Sequence, residues 1–186
     1  LMDANEAPDK PFEVFGGSGC ALMIRREVVK KIGLFDEDFF AFGEDLDYSF
    51  RARLAGYRIL SVPGARVFHD VRATSAKENT LFWYHRNLVW IILKNYPWQL
   101  LIMYLPHVLV HMILVLVRSL VNGWTLTYMR SLIAAVRDWR IVMRKRKRIQ
   151  ESRVVTLSTL RKQLDLNWPG IHWMLHRAKS QMEQTH

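Results

Sequence analysis

The sequence predicts an α/β domain followed by α-helices that associate with a membrane. In the first half of the chain, short apolar segments alternate with helical patterns that end at glycine residues. A long apolar stretch begins near residue 98. The charge is uneven, because residues 1–94 carry thirteen Lys or Arg and thirteen Asp or Glu, whereas residues 137–186 carry twelve and four. Such a basic C-terminal part predicts an anionic partner, either a membrane or a nucleic acid.

Composition excludes several classes of protein. Hydrophobic residues make up 50% of the 186 positions and aromatic residues 12%, which is too many for a disordered or low-complexity chain. Cys20 is the single cysteine, so neither an intramolecular disulfide framework nor a cysteine-based zinc site is expected. The chain starts with Leu1, and its first recognisable segment resembles the middle of a domain rather than the start of one. We therefore expect it to be part of a longer protein.

Residues 1–97 are predicted to form the first domain. Apolar runs bounded by glycine or proline indicate strands, and apolar residues that recur every fourth position indicate helices. Gly33 and Gly56 are each expected to end a helix, because glycine readily adopts the left-handed conformation that follows a last turn. In order, the predicted elements are a strand over 20–24, helices over 25–32 and 44–55, strands over 58–62 and 65–69, and a helix over 81–95.

Residues 98–148 are predicted to be membrane-associated helices. The stretch 100–117 is apolar apart from Pro106, His107 and His111, and its length is borderline for crossing a bilayer. Basic residues flank both ends of the stretch. A half-inserted helix, or a helical hairpin with both ends in the cytoplasm, therefore fits better than a single crossing.

The next helix, predicted from residue 124 to about residue 148, is amphipathic, with arginines on one face and apolar side chains on the other. Helices of this kind favour the membrane interface. The basic run 144–148 ends this helix, and each of its charges near an anionic surface contributes roughly 1 kcal/mol. Residues 149–186 are predicted to form a helical tail.

An ordered set of motifs runs from the glycine-rich segment to His69. The motifs are Gly16 to Gly19 with Arg25-Arg26, Gly33-Leu34-Phe35-Asp36-Glu37, Phe39-Phe40, Glu44-Asp45-Leu46-Asp47 with Arg51, Leu54-Ala55-Gly56-Tyr57-Arg58, Val62-Pro63 and His69, extended by Arg86-Asn87 and Lys94-Asn95-Tyr96-Pro97. In this order they resemble the second half of the catalytic domain of family 2 glycosyltransferases, particularly rhamnosyltransferase-like enzymes. The resemblance covers about residues 15–150.

The resemblance implies the C-terminal half of a GT-A fold and an inverting sugar transfer, with rhamnose as one candidate, from a nucleotide-sugar donor. Asp45 matches the general base of the family, and Glu44 matches the carboxylate that helps hold the acceptor. In some relatives the histidine at the place of His69 is a ligand for a divalent metal, Mn²⁺ or Mg²⁺, on the donor diphosphate. The donor-binding half and its Asp-x-Asp motif are expected upstream, so we expect this chain alone to be inactive.

Elementary chemistry supports the acidic pair independently of the resemblance. A sugar hydroxyl is a poor nucleophile, so a carboxylate must accept its proton as the new bond forms. Peptide dipoles at a helix N-terminus favour the charged form of a carboxylate, and Gly43 allows a tight turn just before the pair. The neighbouring acids Asp36, Glu37, Asp38 and Asp47 are expected to be structural or solvated. Arg51 is expected to anchor the helix through a salt bridge.

The acceptor is expected to be a lipid-linked or cell-surface polysaccharide precursor, because the apolar and basic helices would place the site at a bilayer. The predicted location is the cytoplasmic face of the cell membrane, with the protein peripheral or partly inserted. The alternative is a non-catalytic, membrane-associated adaptor that recruits a partner through the basic amphipathic helix. A nucleic-acid partner is disfavoured, because that helix carries a continuous apolar face rather than polar readout residues.

Overall fold

The computed structural model describes residues 9–68 and 77–167. Over these residues the chain is mostly helical, and the predicted α/β class is represented by one small sheet. The helices are α1 (Arg26–Ile32), α2 (Glu44–Leu54), α3 (Lys77–Asn95), α4 (Trp98–Val121), α5 (Thr125–Arg137), α6 (Trp139–Glu151) and α7 (Leu157–Asn167), and the strands are β1 (Phe12–Val14) and β2 (Ile59–Ser61). Single 3-10 turns cover Gly19–Ala21 and Glu37–Phe39.

Strands β1 and β2 pair antiparallel, with Phe12 opposite Ser61 and Val14 opposite Ile59. Helix α2 is tied to this sheet by Arg53, which is almost fully buried. The Nε atom of Arg53 donates to the Phe15 carbonyl at 3.2 Å, and its terminal nitrogens contact the Val14 carbonyl and the Glu13 carboxylate. The small sheet thereby fixes one end of the helix that carries the acidic pair.

Two predicted strands are absent from the described residues. The predicted strand at 20–24 is wrong, because a 3-10 turn takes its first part and the rest is extended without a partner strand. Met23 is 99% exposed, whereas Leu22 and Ile24 are half-buried, so only part of this apolar segment is covered. The predicted strand at 65–69 is also wrong over residues 65–68, while His69 lies outside the described residues.

Glycines end the first helices where the sequence predicts. Gly33 follows α1 with φ +79°, Gly43 precedes α2 with φ +90°, and Gly56 follows it with φ +88°. These angles lie in the left-handed region that only glycine enters freely. The predicted bounds of α1 and α2 are therefore confirmed to within one residue.

Helix α3 is the central element of the fold and packs against α2, α5 and α6. Trp90 of α3 is almost fully buried and meets Phe39 edge-on, with ring centroids 6.0 Å apart. The apolar core that surrounds it draws on both halves of the chain and comprises Phe15, Phe39, Phe50, Leu54, Trp90, Ile91, Tyr96, Leu100, Ala135, Val142, Leu160 and Leu164. The helices after residue 98 therefore share one core with the segment before it.

The predicted helix from 124 to 148 is wrong as a single element, because it breaks at Asp138 into α5 and α6. In an uninterrupted helix the Ala135 carbonyl would accept a hydrogen bond from the amide of Trp139. It accepts one from the Trp90 indole nitrogen instead, at 3.2 Å. The break lets both Ala135 of α5 and Val142 of α6 pack into the core.

Helix α4 is long and apolar but mostly unburied. Its most apolar 18-residue window has a mean hydropathy of 2.4, and 11% of that window is buried inside the protein. It is the one helix among residues 9–68 and 77–167 with the length and composition of a membrane-crossing helix. Pro106 lies inside it.

Candidate active site

Glu44 and Asp45 are the first two residues of α2, directly after the left-handed Gly43. Both side chains are half-buried. The Asp45 Oδ2 atom accepts a hydrogen bond from the Gly19 amide at 3.0 Å, and Oδ1 lies 2.7 Å from the Leu46 amide. Backbone amides therefore hold the carboxylate of Asp45 at the helix N-terminus, on the side of the glycine-rich loop.

The glycine-rich loop lies against the first turn of α2, and its close approach requires glycine. A Cβ atom at Gly16 would come within 2.9 Å of the Ser49 Oγ atom. Ser49 joins the two segments, since its hydroxyl donates to the Asp45 carbonyl at 2.7 Å and accepts from the Gly17 amide at 3.2 Å. The predicted turn residues thus form one wall of the candidate site.

The Glu44 carboxylate differs from that of Asp45 in being incompletely paired. Its Oε2 atom is buried and has no hydrogen-bond partner among the described residues. Buried polar atoms without a partner are rare and call for an explanation. A donor from a bound molecule would satisfy this oxygen.

Asn87 of α3 holds the loop that leads into the acidic pair. Its Nδ2 atom lies within hydrogen-bonding distance of three carbonyl oxygens, those of Phe39 at 3.0 Å, Ala41 at 2.7 Å and Phe42 at 2.6 Å. Arg86, the residue before it, donates to the Asp38 carbonyl and to the Asn87 Oδ1 atom, both at 2.7 Å. Helix α3 therefore sets the path of the chain into Gly43.

A chain of buried ion pairs connects three segments behind the candidate site. Lys94 of α3 contacts Asp36 of the loop and, at 2.9 Å, Asp47 of α2. Asp47 also pairs with Arg51 at 2.9 Å, and Asp36 also pairs with Lys145 of α6. The structural roles expected for Asp36, Asp47 and Arg51 are confirmed, because all three take part in this chain.

The five residues of the basic run 144–148 in α6 have two kinds of environment. Two of them contact other segments of the protein, and three are exposed. Lys145 pairs with Asp36 and, at 2.5 Å, with Asp38. Arg146 donates to the carbonyls of Leu93 and Tyr96. The expectation that the whole run faces headgroups is therefore wrong for these two residues, whose charges satisfy groups of the first domain. The other three residues of the run, Arg144, Lys147 and Arg148, are exposed.

Two lysines set the charge state of Asp36. Burial by itself raises the pKa of this carboxyl, but the hydrogen bonds and charges of Lys145 and Lys94 outweigh burial and lower the pKa from 3.8 to about 2. Because the folded-state pKa is the lower one, ionised Asp36 stabilises the fold above pH 3.8, and this stabilisation is lost as the pH falls from 3.8 to about 2.

Acid unfolding checks this shift. On acidification from pH 7 to pH 2, the free energy of unfolding of the parent chain is expected to fall, and about 2 kcal/mol of that fall is expected to come from Asp36. The free energy of unfolding of Asp36→Asn is therefore expected to fall by about 2 kcal/mol less over the same range. The measurement is urea unfolding between pH 2 and pH 7 for both chains. The comparison uses the slope against pH, so a general destabilisation of the variant does not affect it. Equal slopes below pH 4 would contradict the assignment.

His69, the metal ligand that the resemblance implies, lies outside the described residues. Among residues 9–68 and 77–167, no group of three or more His, Cys, Asp or Glu side chains is placed to hold a metal ion. The described part of the chain therefore supplies no such donor set by itself.

Comparison with known proteins identifies the segment that contains this site. Residues 9–89 match the family described as "Glycosyltransferase like family 2". The resemblance to family 2 glycosyltransferases is therefore confirmed. The family match covers β1 to the middle of α3, and so includes the glycine-rich loop, the acidic pair and Asn87.

Two curated relatives are "N-acetylglucosaminyl-diphospho-decaprenol L-rhamnosyltransferase" proteins from Mycobacterium tuberculosis strains CDC 1551 / Oshkosh and ATCC 25618 / H37Rv. Each is 40% identical over 61 residues, which is 33% of this chain and 20% of the relative. The matched part thus spans about a fifth of the relatives' length. No solved structure matches the chain.

Proposed function

We propose that the chain is the acceptor-side part of an inverting glycosyltransferase in which Asp45 is the general base and Glu44 binds the acceptor. The observation that carries the proposal is the placement of this pair at the N-terminus of α2, with the Asp45 carboxylate held by the Gly19 amide at 3.0 Å. A fixed carboxylate beside a second carboxylate that lacks a donor is suited to bind a hydroxyl and take its proton.

In the proposed reaction, the acceptor oxygen attacks the anomeric carbon of the donor sugar. A new C–O bond forms as the bond to the nucleoside diphosphate breaks, and the diphosphate leaves with the bonding electrons. Asp45 takes the proton of the attacking hydroxyl. Glu44 accepts a hydrogen bond from the acceptor through Oε2 and so orients the attacking oxygen. Asn87 and Lys94 do not touch the substrate in this scheme, and they position the loop and helix that carry the pair.

The proposed donor is a sugar nucleotide, and rhamnose is the first sugar to test because the curated relatives are named as rhamnosyltransferases. The divalent metal remains part of the proposal, with His69 as one ligand and the others in an upstream part of the protein. When bound to the donor diphosphate, such an ion would neutralise the charge that develops on the leaving group.

The proposed acceptor is a lipid-linked glycan precursor at the cytoplasmic face of the membrane. The relatives' names specify an acceptor built on a polyprenyl diphosphate. In this chain, eleven large apolar side chains of α4 are exposed, and α5 adds Leu126, Met129, Ile133 and Val136. Exposed apolar surface of this extent, on helices that also expose Arg130 and Arg137 of α5, is typical of a protein that is peripheral to a membrane or partly inserted.

Vesicle flotation tests the membrane part of the proposal. We expect the chain to bind phosphatidylglycerol vesicles and to lose affinity as the salt concentration rises, because anionic headgroups attract exposed basic side chains. Replacing the exposed residues Arg144, Lys147 and Arg148 with Gln is expected to weaken binding roughly 100-fold, at about 1 kcal/mol for each charge.

A matched control changes the same number of charges elsewhere. Arg26, Lys30 and Lys31 are exposed on α1, and their replacement by Gln is expected to leave vesicle binding nearly unchanged. Equal losses for the two triple variants would indicate a general effect of net charge. That result, or no binding of the parent chain to any vesicle, would contradict the proposed membrane surface.

Sugar transfer itself is tested with the full-length gene product in isolated membranes. A panel of radiolabelled sugar nucleotides is supplied, and transfer to lipid-extractable acceptors is measured. Transfer from one donor is the expected result. No transfer from any donor would contradict the proposal.

A further inference from the structure

The backbone is strained immediately before the candidate acidic pair. Phe40 has φ +59° and ψ −61°, and the Ala41 amide donates to the Phe39 carbonyl at 2.6 Å. This is a γ-turn of the rare form with a positive φ at its centre. Phe42 also has a positive φ, of +64°. Side chains with a Cβ atom disfavour such angles, so the surrounding structure must hold them in place.

The three contacts of the Asn87 amide nitrogen hold this turn. They join the carbonyls on both sides of Phe40 to a buried side chain of α3. A turn held in this way fixes the direction in which the Phe40 side chain leaves the backbone. Strained residues that are fixed in this way occur preferentially at functional sites.

The side chain that the strained turn presents is an exposed aromatic ring. Phe40 is 79% exposed, and its ring centroid lies 5.0 Å from that of Trp83, with the planes inclined by 36°. Trp83 is held by Phe82, edge-on at 5.0 Å, and by the Arg86 guanidinium, 5.2 Å from the ring centroid. An exposed phenylalanine gains little from burial, so folding alone does not account for the strain.

We propose that Phe40 and Trp83 form a platform that binds the apolar face of a sugar ring of the acceptor. Three residues, 41–43, separate Phe40 from Glu44. The platform therefore lies close in the chain to the acidic pair, and in this proposal both contact the same acceptor. This inference rests on the proposed function and assigns to it a second acceptor-binding element.

A carbohydrate fits this combination of groups better than a lipid chain does. A sugar ring has one face of C–H groups that packs on an aromatic ring, and a rim of hydroxyls that donate to carboxylates. The platform supplies the first partner. The Glu44 Oε2 atom, buried without a donor among the described residues, supplies the second. A prenyl chain would cover the aromatic rings but would leave this oxygen unsatisfied.

Saturation-transfer NMR tests the platform on the complete 186-residue chain in lipid nanodiscs. The probes are N-acetylglucosamine, rhamnose, glucose and a short prenyl alcohol. When the aromatic protons of the protein are irradiated, we expect saturation on the C–H protons of one face of at least one sugar. Phe40→Ala is expected to weaken that sugar's affinity about tenfold, whereas Phe68→Ala, which removes another exposed phenylalanine, is expected to leave it unchanged.

Phe40→Gly distinguishes a binding role from a structural one. Glycine adopts a positive φ without strain, so the thermal unfolding midpoint is expected to stay the same or rise while sugar affinity falls as in Phe40→Ala. Phe40→Tyr, which keeps the ring, is expected to retain binding. Equal sugar affinity of Phe40→Gly and the parent chain would overturn the platform. So would saturation of the prenyl alcohol alone, or of no probe.

Failure of the platform can be told apart from failure of the proposed transfer. If the full-length protein transfers sugar through Asp45 and Phe40→Gly leaves the acceptor KM unchanged, the platform is wrong and the transferase proposal stands. If sugar binding depends on Phe40 but no sugar nucleotide gives transfer, the proposed transfer is wrong and the platform stands.

Discussion

Replacing Asp45 with asparagine is expected to lower the rate of sugar transfer by the full-length protein about 10²- to 10⁴-fold, the range expected for loss of a general base. Asparagine keeps the shape of the side chain, and its carbonyl oxygen can still accept from the Gly19 amide, which lies 3.0 Å from Asp45 Oδ2. It cannot accept the proton of the attacking hydroxyl. The loss is therefore expected in kcat, with a smaller change in the KM for the acceptor. The measurement is the initial rate of label transfer at several acceptor concentrations.

The 3-10 turn that precedes α2 provides a control for Asp45→Asn. Glu37 is exposed, and we assign it no contact with substrate, so Glu37→Gln is expected to transfer sugar at the parent rate. Equal urea unfolding midpoints would show that both variants are folded. A folded Asp45→Asn variant with more than a tenth of the parent rate would contradict the role of Asp45 as the base. The non-catalytic adaptor reading would then gain support.

Replacing Lys94 with methionine is expected to reduce the free energy of unfolding by about 3 kcal/mol. The ammonium group contacts the carboxylates of both Asp36 and Asp47. Without it, two buried acids share fewer positive partners, since Lys145 remains for Asp36 and Arg51 for Asp47. Those remaining contacts place the expected loss at the lower end of the range for a broken buried ion pair.

Lys147→Met is the matched control for this variant. Lys147 lies on the surface with its side chain 78% exposed, and its nearest acid, Glu151, is 4.0 Å away. Exposed pairs contribute little, so its replacement is expected to change stability by less than about 0.5 kcal/mol. Urea unfolding at neutral pH measures both variants. Equal midpoints for Lys94→Met and Lys147→Met would show that the buried ion chain does not stabilise the fold.

Local signals in the sequence were sufficient to locate the helix that carries the candidate site. Gly43 and Gly56 bound α2 because their left-handed angles suit few other residues. Leu46, Phe50 and Leu54 recur every fourth residue, which gives α2 one apolar face, and the last two are buried in the core. Such features depend on neighbours within one or two turns, so a single sequence reveals them.

The residues that position the site could not be found in this way. Asn87 and Lys94 are ordinary polar residues of a helix by composition, and the resemblance marked them as part of a motif without giving their partners. Their contacts join residues 45 to 58 positions apart. Periodicity carries no information about such pairs, because the pairing is decided only when α3 packs beside the loop.

The sequence by itself determined the resemblance to family 2 glycosyltransferases, the acidic pair at a helix N-terminus, the glycine-bounded helices and the apolar stretch of α4. These follow from local backbone preferences and from an ordered set of motifs. Tertiary structure alone decided that the Ala135 carbonyl accepts from Trp90 next to the break between α5 and α6, and that Lys145 pairs with Asp36 across 109 positions of the chain. The physical reason is that burial removes water from polar groups, which then bind whichever partner the packing brings near.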